Sequence, residues 1–309
     1  MVFCPAGNRE GTIEGINLIE EPLEAKELLR KVRKIEIKSR GLTHQIFAGQ
    51  YHSAFKGKGM TFSEVRDYQY GDDIRSIDWN VTARFNHPYV KIFEEERELT
   101  VMLLIDLSES GNFGTEWHLK RNLITEISAV LSFSAIENND KIGVILFSDR
   151  IEKFIPPQKG RKHILRIIRE LIEFQPESRG TNISESLRFL TNAIKKRCTA
   201  FLISDFRDKG YARSLQIANN KHDVVALHIY DQRETELPAV GLIRIMDAES
   251  GKEKWIDTSK KAVRDNYSMK WESHLEIMNE IFSRAGVDSV SIKTGEDYVK
   301  PLLKIFRRR

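Results

Sequence analysis

The stretch LTVMLLIDL at residues 99–107 decides the fold of this 309-residue chain. Apart from Thr100 and Asp106, every residue in it is apolar. A continuous apolar run of strand length is typical of a strand that is buried on both faces of a parallel sheet. We therefore predict a central strand here, and the segments after it along the chain decide how the sheet is covered.

After this run, apolar strands alternate with amphipathic helices. The further strands are predicted at residues 141–147, 151–155, 200–204, 224–230 and 287–292, with 151–155 as a hairpin partner of 141–147. Helices are predicted around residues 119–131, 164–172, 183–196, 211–219, 260–284 and at the end of the chain. Such alternation produces right-handed β-α-β crossovers. We expect an α/β fold over residues 99–309, a doubly wound, mainly parallel sheet with helices on both faces.

The residues before this domain differ from it in composition and in apolar periodicity. Residues 1–40 are predicted to be a helical appendage, with a helix over about 21–35. Residues 41–98 are rich in glycine and aromatic residues and lack periodicity, which predicts an irregular segment of turns and short strands packed on the main domain. Within the main domain, residues 247–257, which include Trp255, are predicted to form an extra hairpin without an assigned role.

The composition limits the classes of partner. Lys and Arg number 49 against 45 Asp and Glu, and a net charge of +4 indicates no strong attraction to nucleic acid or to an anionic membrane. Cys4 and Cys198 cannot build a disulfide framework and have no zinc-finger spacing. No secretory signal and no apolar run of membrane-spanning length is present. We expect a cytoplasmic protein without direct membrane insertion and without a nucleic-acid partner.

Side chains with oxygen donors follow the predicted strands. Asp106, Ser108 and Ser110 form a D-x-S-x-S pattern after the first strand. Thr181 comes just before a predicted helix, and Asp205 ends a later strand. A doubly wound sheet binds its ligands beyond the carboxyl ends of its strands, so we expect these five side chains to converge there. The alternative is that they only turn the chain and cap the next helix.

Two carboxylates and three hydroxyls without Cys or His suit a hard cation rather than zinc. Mg²⁺ is the ion expected, and Mn²⁺ or Ca²⁺ would also be accepted. With two acidic groups, the ion would keep its Lewis acidity. An octahedral ion held in this way would retain one position for water or for the carboxylate of a ligand.

The order of these motifs resembles the metal-ion-dependent adhesion site of von Willebrand factor A-like domains. By this resemblance Asp106, Ser108 and Ser110 correspond to the first loop of that site, Thr181 to the second and Asp205 to the third. The resemblance implies that the two serines and the threonine ligate the ion directly. It also implies that the last aspartate acts through water.

The preceding segment resembles the hallmark of one bacterial family, catalogued as domain of unknown function 58. The similarity lies in RDYQYGDDIRSIDW at residues 66–79, TAR at 82–84 and VKIFEEER at 90–97. We single out as its signature residues Arg66, Gly71, Asp72, Asp73, Arg75, Asp78, Trp79 and Arg84. They could form a second metal or catalytic site, or a buried network of ion pairs and hydrogen bonds. Charges that alternate in sign favour the network.

The family resemblance implies a function. Members resemble partners of a MoxR-type AAA+ ATPase, encoded beside it and beside membrane-bound A-domain proteins. The leading hypothesis is therefore a metal-dependent protein-interaction module, an adaptor or substrate-recruiting factor for such an ATPase or its client. The alternative is a Mg²⁺-dependent phosphohydrolase. Ser108 stands where a haloacid-dehalogenase-type enzyme needs a second aspartate, and no P-loop or G-x-S-x-G motif occurs, so we expect no enzyme.

Overall fold

A computed structural model describes residues 2–4, 30, 33, 61–85, 87–94, 99–108, 114–115, 118–178, 180–246 and 253–307. The chain divides into two compact units. The small unit is Phe55–Leu99, and the large unit consists of Met1–Ala54 and Thr100–Arg309. Of the helix predicted at 21–35, only Arg30 and Arg33 are described, and both are helical. The rest of that prediction lies outside the described residues.

The small unit is built on one antiparallel pair of strands. Its elements are β2 (Thr61–Asp67), a 3₁₀ helix (Ile74–Ser76), α1 (Trp79–Phe85) and β3 (Tyr89–Glu94), with β2 paired to β3. The short strands and turns agree with the irregular segment predicted for residues 41–98. The two short helices were not predicted, because one or two turns carry too little apolar periodicity to be recognised.

The large unit contains the other strands and helices. Its strands are β1 (Val2–Cys4), β4 (Thr100–Asp106), β5 (Gly114–Thr115), β6 (His118–Leu119), β7 (Lys141–Phe147), β8 (Ile151–Gln158), β9 (Thr199–Ser204), β10 (Asp223–Tyr230), β11 (Leu242–Met246), β12 (Glu253–Asp257) and β13 (Asp288–Lys293). Its helices are α2 (Lys120–Glu137), α3 (Arg161–Glu173), α4 (Ile183–Ala193), α5 (Ala212–Lys221), α6 (Gln232–Thr235), α7 (Lys261–Ala285) and α8 (Val299–Arg307).

The central sheet has six strands in the order β13-β10-β9-β4-β7-β8. All neighbours are parallel except β7 and β8, which form the predicted hairpin. The apolar run at 99–107 supplies β4, which pairs with β9 on one side and β7 on the other. Its residues 101–106 are buried. The predicted α/β fold, with a mainly parallel central sheet, is confirmed.

Helices cover both faces of this sheet. On one face, Met102 and Leu104 of β4 belong to a core that includes residues of α4, α5 and α7. The other face carries Phe201 of β9, whose ring packs edge-on against Phe306 of α8, and α2 also contacts the sheet. Side chains of a strand alternate between the two faces, so a strand covered on both sides must be apolar throughout.

A hairpin was predicted at 247–257, and one forms from β11 and β12, which pair antiparallel, but its first strand lies before residue 247. Its connection at 247–252 lies outside the described residues. Strand β1 adds to the other edge of β11 and makes a three-stranded sheet. This pairing was not predicted, because three residues are too few to show a strand pattern. No helix in the described part of the chain is long and apolar enough to cross a membrane.

Gly143 in β7 occupies a position without room for a side chain. A Cβ built there would lie 2.8 Å from Met102 Sδ, 2.8 Å from Pro157 N and 2.9 Å from Ile155 O. Because two of these atoms belong to the backbone of β8, the strands would have to move apart. We expect Gly143→Ala to lower the free energy of unfolding by about 1–3 kcal/mol in urea titrations.

The matched control for this prediction is Gly180→Ala. The nearest atom to a Cβ at Gly180 is Asp149 Cβ at 3.4 Å, an ordinary contact. This substitution should change stability by less than about 0.5 kcal/mol. Equal unfolding midpoints for Gly143→Ala and the wild type would contradict the close packing of β7 against β8.

Candidate functional site

Asp106 and Asp205 lie at the same edge of the central sheet. Asp106 is the last residue of β4, and Asp205 follows Ser204, the last residue of the neighbouring strand β9. Ser204 Oγ donates a hydrogen bond to Asp106 Oδ2 at 2.6 Å, and Ser108 N donates to Oδ1 at 2.9 Å. Asp106 is 4% exposed and Ser108 is 2% exposed. Both acceptor oxygens of this buried carboxylate are therefore held by the protein.

The loop that carries Thr181 is tied to the same edge. Asn182 N donates to the carbonyl of Ser148, which directly follows β7, at 2.8 Å. Ile183 N donates to Asp208 Oδ2 at 2.8 Å, and Asp208 lies in the loop after β9. Thr181 is half-buried. Four of the five predicted side chains thus lie at one edge of the sheet, and Ser110 lies outside the described residues.

A buried lysine that the sequence analysis did not single out joins this group. Lys120, the first residue of α2, is 1% exposed. Its Nζ lies 3.1 Å from Asp205 Oδ2 and 2.9 Å from Glu234 Oε1. Arg207 reaches the same two acids from a more exposed position, with Nη2 at 3.3 Å from Glu234 Oε1 and Nε at 3.9 Å from Asp205 Oδ2. Asp205 is therefore an ion-paired residue.

Two of the residues missed by the sequence analysis, Lys120 and Glu234, lie far from each other in the chain. Lys120 is separated from Asp205 by 85 residues and from Glu234 by 114. One signal was available for Lys120, because it begins a helix whose next 15 residues, RNLITEISAVLSFSA, are largely apolar or small. A lysine that is buried at the start of such a helix requires an acidic partner. Glu234 carried no comparable signal.

Among the acids at this edge of the sheet, Asp106 has a strongly raised pKa. Burial and the negative charge of Asp205 raise the pKa of Asp106 to about 7, against the hydrogen bonds from Ser204 and Ser108. Burial opposes the charge of Lys120, but Asp205 and Glu234 outweigh it, so the lysine pKa lies above its usual value. Within the described part of the chain, Lys120 and Arg207 supply two positive charges to this edge. Asp106, Asp205 and Glu234 supply three negative charges when Asp106 is ionised, so one negative charge is left uncompensated.

Aromatic rings border the ion pairs. His228 of β10 stacks on Tyr230 at 5.3 Å and on Trp271 of α7 at 5.7 Å between ring centroids. The guanidinium of Arg207 lies 5.9 Å from the Trp271 ring centroid. Burial lowers the pKa of His228 to about 3, so its imidazole is neutral and adds no charge to the site.

The donor types at this edge fit a hard cation in part. Among the described residues, no three His, Cys, Asp or Glu side chains form a group that could hold a metal ion. The edge offers one carboxylate, Asp106, with the hydroxyls of Ser108 and Thr181. Asp205 is engaged by Lys120, which suits an acid that contacts an ion through water. Oxygen donors and the uncompensated negative charge are what Mg²⁺ requires.

Comparison with known proteins identifies the family. The model described as "Protein of unknown function DUF58" matches residues 64–277. The chain belongs to the DUF58 family. The uncharacterized protein Rv1480 of Mycobacterium tuberculosis (strain ATCC 25618 / H37Rv) is 28% identical to this DUF58 protein over 299 residues, covering 95% of this chain and 93% of the relative.

Two solved structures illustrate its structural neighbours. The conserved hypothetical protein BatB from Bacteroides thetaiotaomicron is 16% identical, with a TM-score of 0.47 over 68% of this chain and 98% of the other. The SpRpn10 VWA domain is 10% identical, with a TM-score of 0.40 over 69% of this chain and 96% of the other.

The signature residues of this DUF58 protein form a hydrogen-bond network in the small unit. Arg66 makes two bonds to Asp72, with Nη1 to Oδ2 at 2.9 Å and Nη2 to Oδ1 at 2.7 Å. The bond from Arg66 is the main cause that holds the pKa of Asp72 below its usual value. Gly71, between them in the chain, has φ +106°, which favours glycine. The Arg66 side chain is 37% exposed, so the network lies at the surface rather than buried as expected.

The other two signature acids cap short helices. Asp73 accepts a hydrogen bond from Arg75 N and begins the 3₁₀ helix. Asp78 Oδ1 accepts from Asn80 N at 2.9 Å, and its Oδ2 lies 3.5 Å from Lys91 Nζ. These contacts assign the carboxylates to local structure.

The remaining signature residues, Arg75, Trp79 and Arg84, are exposed. Trp79 is 66% exposed, as is its neighbour in the segment Ile74, and Tyr70 is fully exposed. The side chains of Arg75 and Arg84 are turned to solvent, since both residues are exposed. We call Tyr70, Ile74, Arg75, Trp79 and Arg84 the signature surface. Trp, Tyr and Arg are the residues most enriched at energetically important positions of protein interfaces.

Proposed function

We propose that this DUF58 protein is a metal-dependent protein-interaction module. A Mg²⁺-type ion, with Mn²⁺ or Ca²⁺ as substitutes, would bind at the edge of the central sheet, as in a metal-ion-dependent adhesion site. The observation that carries the proposal is the buried Asp106 carboxylate, whose charge the neighbouring cations leave uncompensated. A buried charge of this kind is costly unless a counter-charge binds beside it.

Each residue has a defined part in this proposal. Asp106 and Ser108 would ligate the ion from the first loop together with Ser110, and Thr181 from the second. Asp205 would reach the ion through water, because its carboxylate is engaged by Lys120. The ion would offer its last position to a carboxylate of the partner and bind it by direct electrostatic attraction.

The partner proposed is a MoxR-type AAA+ ATPase or a client protein of that ATPase. This choice is supported by the resemblance of the signature segment, and membrane-bound A-domain proteins are further candidates. The encounter would take place in the cytoplasm. The signature surface, with its exposed Trp79, Arg75 and Arg84, would supply a second contact.

Metal-dependent capture of the ATPase tests the proposal. With the ATPase immobilised, we expect wild-type protein to be retained in Mg²⁺ and released by EDTA. Asp106→Ala should reduce retention at least about tenfold, because loss of the ion removes its charge-assisted contact with the partner, and tenfold corresponds to about 1.4 kcal/mol. Asp265→Ala, which removes an exposed carboxylate from α7, is the matched control and should bind like the wild type.

Two results would contradict the interaction module. Equal retention in EDTA, in Mg²⁺ and for Asp106→Ala would show that no metal takes part. Mg²⁺-dependent hydrolysis of a phosphate ester, abolished by Asp106→Ala, would establish the phosphohydrolase instead. Circular dichroism of each variant confirms that it is folded.

A further inference from the structure

Five charged side chains at the sheet edge act on one another. Three are acidic and two are basic: Asp106, Asp205, Glu234, Lys120 and Arg207. All but Arg207 are buried. With Asp106 ionised, the group carries one net negative charge.

Asp231, the next acid along the edge, is directed elsewhere. Its Oδ1 accepts a hydrogen bond from Arg233 N, and its Oδ2 accepts one from the hydroxyl of Thr294, after β13. We count the charge balance over the group of five, whose members are linked by ion pairs and by the charge of Asp205 acting on Asp106.

A single divalent cation does not neutralise this group. One such ion would change the net charge from −1 to +1, and a buried excess charge of either sign is unfavourable. An ion together with one carboxylate from outside would bring the group to neutrality. The site is thus suited to two ligands at once rather than to the ion alone.

The positive charge of Lys120 is built into the fold. The residue lies in the first turn of α2, is 1% exposed, and is held by two acids at 3.1 and 2.9 Å. Glu234 is held in turn, because its Oε2 accepts a hydrogen bond from Asp231 N at 2.9 Å while Oε1 faces Lys120. Neither side chain can swing into solvent when a ligand arrives, so their charges stay in the site.

We propose that Lys120 and Glu234 are positioning residues that make the divalent cation and the partner carboxylate bind cooperatively. Lys120 holds Asp205 and supplies the charge that keeps the ion from neutralising the site alone. Without Lys120 the net charge would be −2, and the ion would bind tightly with no need of a partner. This inference depends on the proposed function, since it concerns the same ion and the same carboxylate.

The test uses Mn²⁺ as the ion and acetate as the carboxylate, on the full chain at pH 8. Calorimetric titrations with Mn²⁺ are run in chloride and in acetate at equal ionic strength. For the wild type we expect the Kd for Mn²⁺ to fall about tenfold in acetate, a typical size for coupling between two ligands. For Lys120→Met we expect a Kd in chloride at least about tenfold lower than that of the wild type, and no further gain from acetate.

Two further variants keep the test decisive if Lys120→Met does not fold. Arg207→Gln removes a cation whose side chain is 37% exposed, and it should tighten Mn²⁺ binding in chloride and weaken the acetate effect. Glu234→Gln has a similar shape and removes a negative charge, so it should weaken Mn²⁺ binding in chloride and keep the acetate effect. Opposite shifts for these two variants support the charge balance.

The outcomes separate this inference from the proposed function. If Asp106→Ala abolishes Mn²⁺ binding but the three charge variants bind Mn²⁺ like the wild type, the site stands and the charge balance is wrong. The charge balance is also wrong if acetate leaves the wild-type Kd unchanged. If no protein binds Mn²⁺ in either buffer, the proposed function fails and this inference fails with it. Mn²⁺ binding by Lys120→Met alone, with none by the wild type in either buffer, also contradicts the inference, because the wild type would then not bind the ion and the carboxylate together.

Discussion

Replacing Lys120 with methionine is expected to lower the free energy of unfolding by about 3–5 kcal/mol. Methionine has a similar volume but no charge, so Asp205 and Glu234 would be left buried with only the more exposed Arg207 nearby among the described cations. Removing one partner of a buried ion pair is costly because the remaining charge has lost its solvation and its counter-charge. Urea titrations followed by circular dichroism in EDTA measure the change.

Lys153→Met is the matched control for this prediction. Lys153 pairs with Glu170 at 2.5 Å, and its side chain is 34% exposed. Water screens such a pair, so the change should stay within about 1 kcal/mol. Adding Glu234→Gln to Lys120→Met should recover part of the lost stability, since one of the two unpaired acids is then neutral. A loss of stability for Lys120→Met that is no larger than that for Lys153→Met would contradict the buried ion pairs of Lys120 with Asp205 and Glu234.

Asp106→Asn is expected to stabilise the protein at pH 8 relative to the wild type, and much less so at pH 4. The pKa of Asp106 is raised from 3.8 to about 7 in the folded protein. The folded state therefore holds this proton more strongly than the unfolded chain does. Stability from this group is fully present below pH 3.8, falls as the pH rises through the interval to 7, and is constant above it.

The size of this effect follows from the pKa difference. Each unit corresponds to about 1.4 kcal/mol, so the advantage of Asp106→Asn over the wild type should grow by up to roughly 4 kcal/mol between pH 4 and pH 8. Urea unfolding at both pH values in EDTA measures it. Asp265→Asn, at an exposed position on α7, should leave the difference between the two pH values unchanged. Parallel pH profiles for Asp106→Asn and the wild type would show that the Asp106 carboxylate is well compensated.

Much of the candidate site could be predicted from local sequence. Asp106 and Asp205 each end an apolar run, and in a parallel sheet the ends of such runs lie at one edge. The position of Thr181 followed from the helix after it, which is α4. The same reasoning could not find Glu234, which lies in a four-residue helix and carries no periodic pattern of its own.

The apolar runs and the amphipathic helical segments between them by themselves determined the α/β fold and the strands that supply the candidate ligands. Burial on both faces forces a central strand such as β4 to be apolar throughout, and that requirement is visible in the continuous run at residues 99–107. Only the tertiary structure decided the charge at the site. Lys120 meets Glu234 across 114 residues, and nothing in the sequence near either residue indicates the other as its partner. An ion pair between distant elements depends on how strands and helices pack, and packing leaves no periodic trace in the chain.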